Sequence, residues 1–296
     1  EPVRMKKFTN IRRVTAGPGG EALLIIGSEK TALYDAGMAY CATGLVENIK
    51  RELKGRPLDY ALLSHTHYDH LGGIPYLRQQ WPELTVFGAA HGKNVLERPG
   101  ALKAIRELAV NAAKQYLNAE KLDPDYRDED LRIDQVVGNG DIISLGDRTI
   151  RIYETKGHTN CSLTFFIEED SVLLASESTG VYVGDGEVIP SLLTGYRDVI
   201  DSIETCRAIK AKYIFSPHSL LVDEKAAEKY WDLCRAAADE FKDITLELHR
   251  KGVSEEEILE RQKERWWGPY CKEEQPSAAF EINTKAGIAA ILKEFN

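Results

Sequence analysis

Apolar residues come in short bursts through roughly the first 220 positions and recur every three or four residues through roughly the last 75, so a strand-rich body and a helical tail are expected. EALLIIGSEKTALYDAG (21–37) reads as two strands around a Gly-Ser-Glu-Lys turn, ending in Asp35-Ala36-Gly37. An amphipathic helix is predicted over 43–54, strands over 58–64 and 84–89, a helix start after the turn in LGGIPYLRQQ (71–80), and a helix over 99–120. KLDPDYRDEDLR (121–132) reads as a solvated acidic connector. DIISLG, RTIRIYETKG, CSLTFFIEED and SVLLASES read as four further strands, followed by a helix near 197–210 and the strand AKYIFSPHS. From about Asp223 the pattern is helical to the end, in EKAAEKYWDLCRAAADEFKDITLELHRKG, SEEEILERQKERW and SAAFEINTKAGIAAILKEF.

Composition narrows the class without naming a function. At 43% hydrophobic and 29% charged residues the chain is of ordinary globular type, and its length can bury a core without covalent staples. A net charge of −9 argues against nucleic acid or an anionic membrane as the main partner. The five cysteines are scattered, odd in number and without a CxxC pair, and EPVRMKKF at the start has no signal-peptide pattern, so a reduced, cytoplasmic setting is expected. No apolar run reaches the roughly 18 residues of a membrane span.

Histidine changes the picture. His65, His67 and His70 put three of the chain's seven histidines into six residues, with Asp69 among them. Residues two apart at the end of a strand face one side, so His65 and His67 can reach one ion. Imidazole and carboxylate together suit Zn²⁺, Fe or Mn rather than Ca²⁺. His158, after RTIRIYETKG, and His218, in FSPHS, also stand where strands end, the usual place for functional groups on a scaffold. His91 and His249 lack that setting and are read as bystanders.

His65, His67, Asp69 and His70 form an H-x-H-x-D-H motif behind an apolar strand, Gly157-His158 a glycine-histidine turn, and Pro217-His218 a turn after the last strand of the body. On these residues the chain resembles the metallo-β-lactamase superfamily over about residues 11–222. The resemblance implies an α/β fold of αββα type, two mixed sheets with helices outside, over residues 1–222, with 223–296 as an all-helical cap. It implies two divalent metal ions, zinc first and Fe or Mn next. One would be held by His65, His67 and His158, the other by Asp69, His70 and His218. The family's bridging Gly-Asp is replaced here by Ser176-Glu177. Glu177, directly after an apolar strand, is the preferred bridging carboxylate, and Asp185 in VGDGE is its rival.

The implied chemistry is hydrolysis by metal-activated water, with Asp69 orienting the nucleophile and moving its proton. The layout, a body ending near the last histidine and then long helices, looks most like PqsE-like and glyoxalase II-like thioesterases. An ester or thioester of small size is therefore the expected substrate, with a lactone or a small phosphodiester as alternatives. A metal-containing ligand sensor with little turnover is the alternative of another class. Tyr68, Tyr196, Arg197, Trp266, Trp267 and Tyr270 are candidate substrate contacts, although the last three equally suit packing of the tail. The expected partner is a small molecule, not nucleic acid or membrane, and a homodimer is left open.

Overall fold

The computed structural model describes residues 8–117, 126–218 and 221–295, and within these the side chains of all but Pro269 and Tyr270. Two compact units emerge, Glu1–Tyr153 with Phe165–Asp170, and Glu154–Thr164 with Ser171–Asn296.

In the first unit β1 (Ile11–Arg13), β2 (Leu23–Ile26) and β3 (Thr31–Tyr34) form an antiparallel meander. α1 (Ala42–Leu53) then crosses to β4 (Tyr60–Leu62), which runs parallel to β3. α2 (Tyr68–Leu71) and α3 (Ile74–Gln80) lead to β5 (Thr85–Gly88), and α4 (Ala90–Leu96) and α5 (Pro99–Leu117) lead to β6 (Gln135–Val136), each strand again parallel to the last. These six strands make one sheet in chain order. β7 (Ile142–Ser144) and β8 (Thr149–Glu154) form an antiparallel hairpin. β3 is buried at every position and α1 presents Leu45, Ile49 and Leu53 inward, which is why both read clearly as apolar patterns. Leu24, Leu33, Ala61, Leu77 and Val86 belong to the same core.

β9 (Leu163–Ile167) is followed by the second unit's β10 (Val172–Leu174) and a hairpin of β11 (Val181–Gly184) and β12 (Glu187–Ile189). α6 (Tyr196–Ile209) crosses to β13 (Tyr213–Phe215), parallel to β10, and β14 (Leu221–Val222) turns back antiparallel. The tail is α7 (Glu224–Arg250), α8 (Glu255–Trp266), α9 (Pro269–Glu274) and α10 (Ser277–Phe295). Asp223 starts α7 as its N-cap, accepting from the backbone N–H groups of Lys225 and Ala226. α7 packs on α6, β12, β13 and the 3-10 turn Glu177–Thr179. Among the described residues no helix is long and apolar enough to cross a membrane.

The expected helices and strands are present where the chain is described. Residues 118–125, which hold the end of the helix expected to 120 and most of the connector's start, lie outside the described residues. The β11–β12 hairpin and the short strands β1, β6 and β14 are additions.

Candidate metal centre

Parallel strands gather chemistry at their carboxyl ends, because each enters its loop on the same edge of the sheet. β4 does so in the first unit. Its continuation is pinned by Leu63, whose N–H donates to the Phe87 carbonyl at 3.0 Å, and by Asp35, whose N–H donates to the Leu62 carbonyl at 3.0 Å. His67, in extended conformation, is the N-cap of α2, which places Asp69 in the first turn and His70 in the last. The imidazoles of His65 and His67 stand 4.5 Å apart between centroids, and those of His65 and His70 4.1 Å.

Asp35 organises this half of the site. Its carboxylate accepts from the Ser64 N–H and from the Ser64 hydroxyl, 2.8 Å each, and faces His70 Nδ1 at 2.8 Å. Ser64 Oγ also lies 3.0 Å from His65 Nδ1. With Nδ1 so engaged in both rings, Nε2 is the nitrogen left to serve as ligand. Asp69 Oδ2 lies 3.4 Å from His70 Nε2. Burial alone would push the His70 imidazole down, but the Asp69 and Asp35 carboxylates outweigh it and hold its pKa well above the ordinary value.

The second unit repeats the geometry. β10 pairs Leu174 with Phe215 of the parallel β13, and Glu177 and His218 each follow three residues later, so they emerge side by side. His218 Nε2 lies 3.1 Å from Glu177 Oε1, and His158 Nε2 lies 3.4 Å from Glu177 Oε2. The Glu177 carboxylate therefore faces one imidazole with each oxygen. His158 Nδ1 is 3.0 Å from the Ser191 carbonyl and 2.9 Å from its hydroxyl, and that hydroxyl donates to Glu177 Oε2 at 3.1 Å. The His158 backbone N–H donates to Ser178 Oγ at 3.0 Å. Gly157 precedes it at φ +128°, where a Cβ would stand 2.5 Å from Val199 Cγ2, so a side chain there meets both strain and a clash. His218 itself takes φ 61°, a conformation non-glycine residues seldom adopt.

Two groups of side chains could each hold a metal ion: His65, His67 and His158, and Asp69, His70, Glu177 and His218. All seven are the ligand candidates of the sequence. The donor set, imidazole nitrogen with a minority of carboxylate oxygen and no thiolate, fits Zn²⁺, Fe or Mn. The histidine Nδ1 contacts to Asp35, Ser64 and Ser191 fit it too, since ligating imidazoles are ordinarily fixed through their second nitrogen.

Asp185 is exposed in the turn between β11 and β12, at φ 52°. Tyr68 is 7% exposed within the core of the first unit. Trp266 is buried and donates to Gln262 Oε1 at 2.9 Å, while Gln262 donates to the Phe241 carbonyl at 2.8 Å, so it belongs to the α7–α8 seam. Trp267 packs on Phe280 of α10 with centroids 4.8 Å apart. The Tyr196 hydroxyl bonds Asp239, and Arg197 pairs with Glu294 at 3.2 Å. The Tyr270 side chain lies outside the described residues. His91 is exposed on α4 and His249 sits in the last turn of α7, and neither joins a metal group. Asp35, Ser64 and Ser191 are the residues that sequence reading passed over. Only the first two carry a local signal, at a strand's end and beside His65.

Comparison with known proteins identifies the family of the fold. The family model of the metallo-beta-lactamase superfamily matches residues 17–218, from just before β2 to the last histidine of the groups. A metallo-beta-lactamase fold-containing protein of Sulfurisphaera tokodaii is 27% identical over 214 residues, 70% of this chain and 75% of its own. The human acyl-coenzyme A thioesterase MBLAC2 is 24% identical over 195 residues, 63% of this chain and 65% of its own. The crystal structure of a metallo-beta-lactamase family protein of Thermus thermophilus covers 97% of this chain, and 94% of that one is covered, at a TM-score of 0.68 and 16% identity, a likeness of fold. The chain belongs to the metallo-beta-lactamase superfamily.

Proposed function

We propose that the chain is a dinuclear metal-dependent hydrolase of small esters and thioesters, acyl thioesters first. The observation that carries this is the placement of Glu177, one carboxylate oxygen toward His158 and the other toward His218, as a ligand common to two ions requires. In this reading His65, His67 and His158 would hold one ion and Asp69, His70 and His218 the other, with Glu177 the carboxylate that would serve them in common. Bound ions of this kind supply Lewis acidity, polarising a carbonyl oxygen and lowering the pKa of water.

The chain's own groups do the rest. Asp35, Ser64 and Ser191 fix the rings and the Glu177 carboxylate, so that the ligands need no rearrangement when charge develops. Asp69, whose side chain is 16% exposed, orients the attacking water and receives its proton. The tail supports a substrate of limited size, because α7 packs directly on the turn that carries Glu177. The likeness to an acyl-coenzyme A thioesterase supports the thioester, and the net charge of −9 speaks against RNA.

The full chain, loaded with zinc, iron or manganese in turn, is assayed on acyl-coenzyme A thioesters of graded length, a lactone and a simple phosphodiester. Thioester turnover should dominate. It should fall about 10²-fold or more in Asp69→Asn, as loss of a group handling a proton does. Bound metal without turnover of any thioester or ester would replace the hydrolase by a ligand sensor.

A further inference from the structure

The loop from Ser191 to Gly195 grips His158 from two sides. Ser191 meets its ring at Nδ1, and the N–H groups of Leu193 and Thr194 both donate to the Gly157 carbonyl at 2.9 Å, one residue upstream. The far side of this loop is held by the last helix of the chain. Gly287 of α10 comes so close to the Leu192 carbonyl that a Cβ there would stand 2.4 Å from it. Further along the same helix, Glu294 accepts from the backbone N–H groups of Tyr196 at 2.7 Å and Arg197 at 3.1 Å, the first residues of α6. A carboxylate there answers the positive end of the helix dipole and satisfies two N–H groups that have no partner within α6.

We infer that α10 is a clamp on the metal centre, with Glu294 a positioning residue that acts through Ser191 on His158 and Glu177. The inference rests on the reading that these two side chains hold metal. The chain of contacts is short. Gly287 abuts the loop at Leu192, Glu294 holds the first two residues of α6 that follow it, and Ser191 at the loop's start contacts both His158 Nδ1 and Glu177 Oε2. Loosening the first link leaves every ligand in place but lets the imidazole and the carboxylate reorient, which weakens the hold on an ion without removing it. The tail thereby has a function besides covering: the C-terminal helix tunes a centre whose ligands all come earlier in the sequence.

Zinc affinity of the full chain is measured by competition with a chromophoric chelator, alongside thermal denaturation. Ser191→Ala should weaken at least one zinc by about 10-fold, the lower end of what losing an outer-shell partner does. Glu294→Ala should weaken the same zinc by roughly 3- to 10-fold through the intermediate link, and Glu294→Gln, which keeps one accepting oxygen, should weaken it less. Gly287→Ala should act in the same direction and keeps the test open if Glu294→Ala does not fold. Glu281→Ala, which removes a pairing of α10 with Lys263 of α8 at 2.6 Å, is the control for helix stability. It should lower Tm and leave zinc affinity alone. If Glu294→Ala and Gly287→Ala lower Tm while both zinc constants stay as in the parent, the clamp is overturned and α10 serves stability only. If instead His158→Ala and Glu177→Gln leave zinc binding unchanged, the metal reading has failed, and the clamp with it.

Discussion

With φ at 51°, Asp35 holds a backbone conformation that few residues besides glycine, asparagine and aspartate adopt, and its buried carboxylate meets Ser64 twice and His70 once. Asp35→Ala would strand the Ser64 N–H in a buried setting, a cost of about 1–3 kcal/mol, and would remove the carboxylate that holds His70 Nδ1. The variant should bind metal about 10- to 100-fold more weakly while retaining every proposed ligand, and chelator competition with urea denaturation separates the two effects. Unchanged metal affinity would reduce Asp35 to a structural carboxylate. The contrast with the histidines explains what a sequence discloses at this scale. Three imidazoles and an aspartate in six residues have no common structural use, so they stand out as candidate ligands. A single Asp closing a strand looks like any turn residue, and Ser191 lies 33 positions from the ring it orients. Glu177 against Asp185 was decidable in principle. Asp185-Gly186 between VYVG and EVI is a two-residue hairpin signal, which places Asp185 at an exposed tip.

Secondary-structure elements were legible wherever one face is buried over several residues. β3, β9, α1 and α7 have apolar patterns long enough to fix their type, whereas β1, β6 and β14, of two or three residues, owe their conformation to the neighbours they pair with. The α6–α7 seam shows what such packing does to side-chain chemistry. Burial pushes the Cys206 thiol of α6 up to about 12 and raises that of Cys234 of α7 as well. A group whose pKa is raised by folding contributes stability that is complete below its unfolded value and is lost as pH climbs toward the folded one. For Cys206 the window opens near its ordinary 9.0 and extends to about 12. The unfolding free energy should therefore fall with pH from about 9 upward, by at most about 1.4 kcal/mol per pH unit from this thiol. Cys206→Ala should show a shallower fall, so the gap between variant and parent measured at pH 7 should shrink by about pH 10.5. Parallel slopes would mean that the thiol ionises in place. At neutral pH a thiol reagent should modify the half-buried Cys41 before the other four cysteines, all of them buried.

For the molecule as a whole, the fold was foreseeable because the histidine motif, the glycine-histidine turn and the order of strands occur together in one superfamily, while the way the tail packs was not. Helical periodicity identifies α7 and α10 but contains nothing to say that Glu294 caps α6 or that Trp266 closes a seam with α7. The proposed metal centre has its own consequence at this scale. His158, Glu177 and His218 come from three separate loops, so the unfolded chain has only the local H-x-H-x-D-H segment with which to bind an ion, and metal should favour the folded state. At a free metal concentration about 1,000-fold above Kd, each ion adds about 4 kcal/mol if the unfolded chain does not bind it, and somewhat less here because that segment retains some affinity. In a chain of this size that corresponds to a rise in Tm on the order of 10 °C per ion. Zinc added to chelator-treated protein should raise Tm, and the rise should keep growing with concentration after the sites are filled, at the rate mass action sets. His158→Ala should remove one part of the rise and His70→Ala another, with the double variant showing little of either. A chelator-treated chain whose Tm does not respond to zinc, iron or manganese would remove the dinuclear centre from the proposal. It would leave the superfamily fold standing with a different task for its histidines.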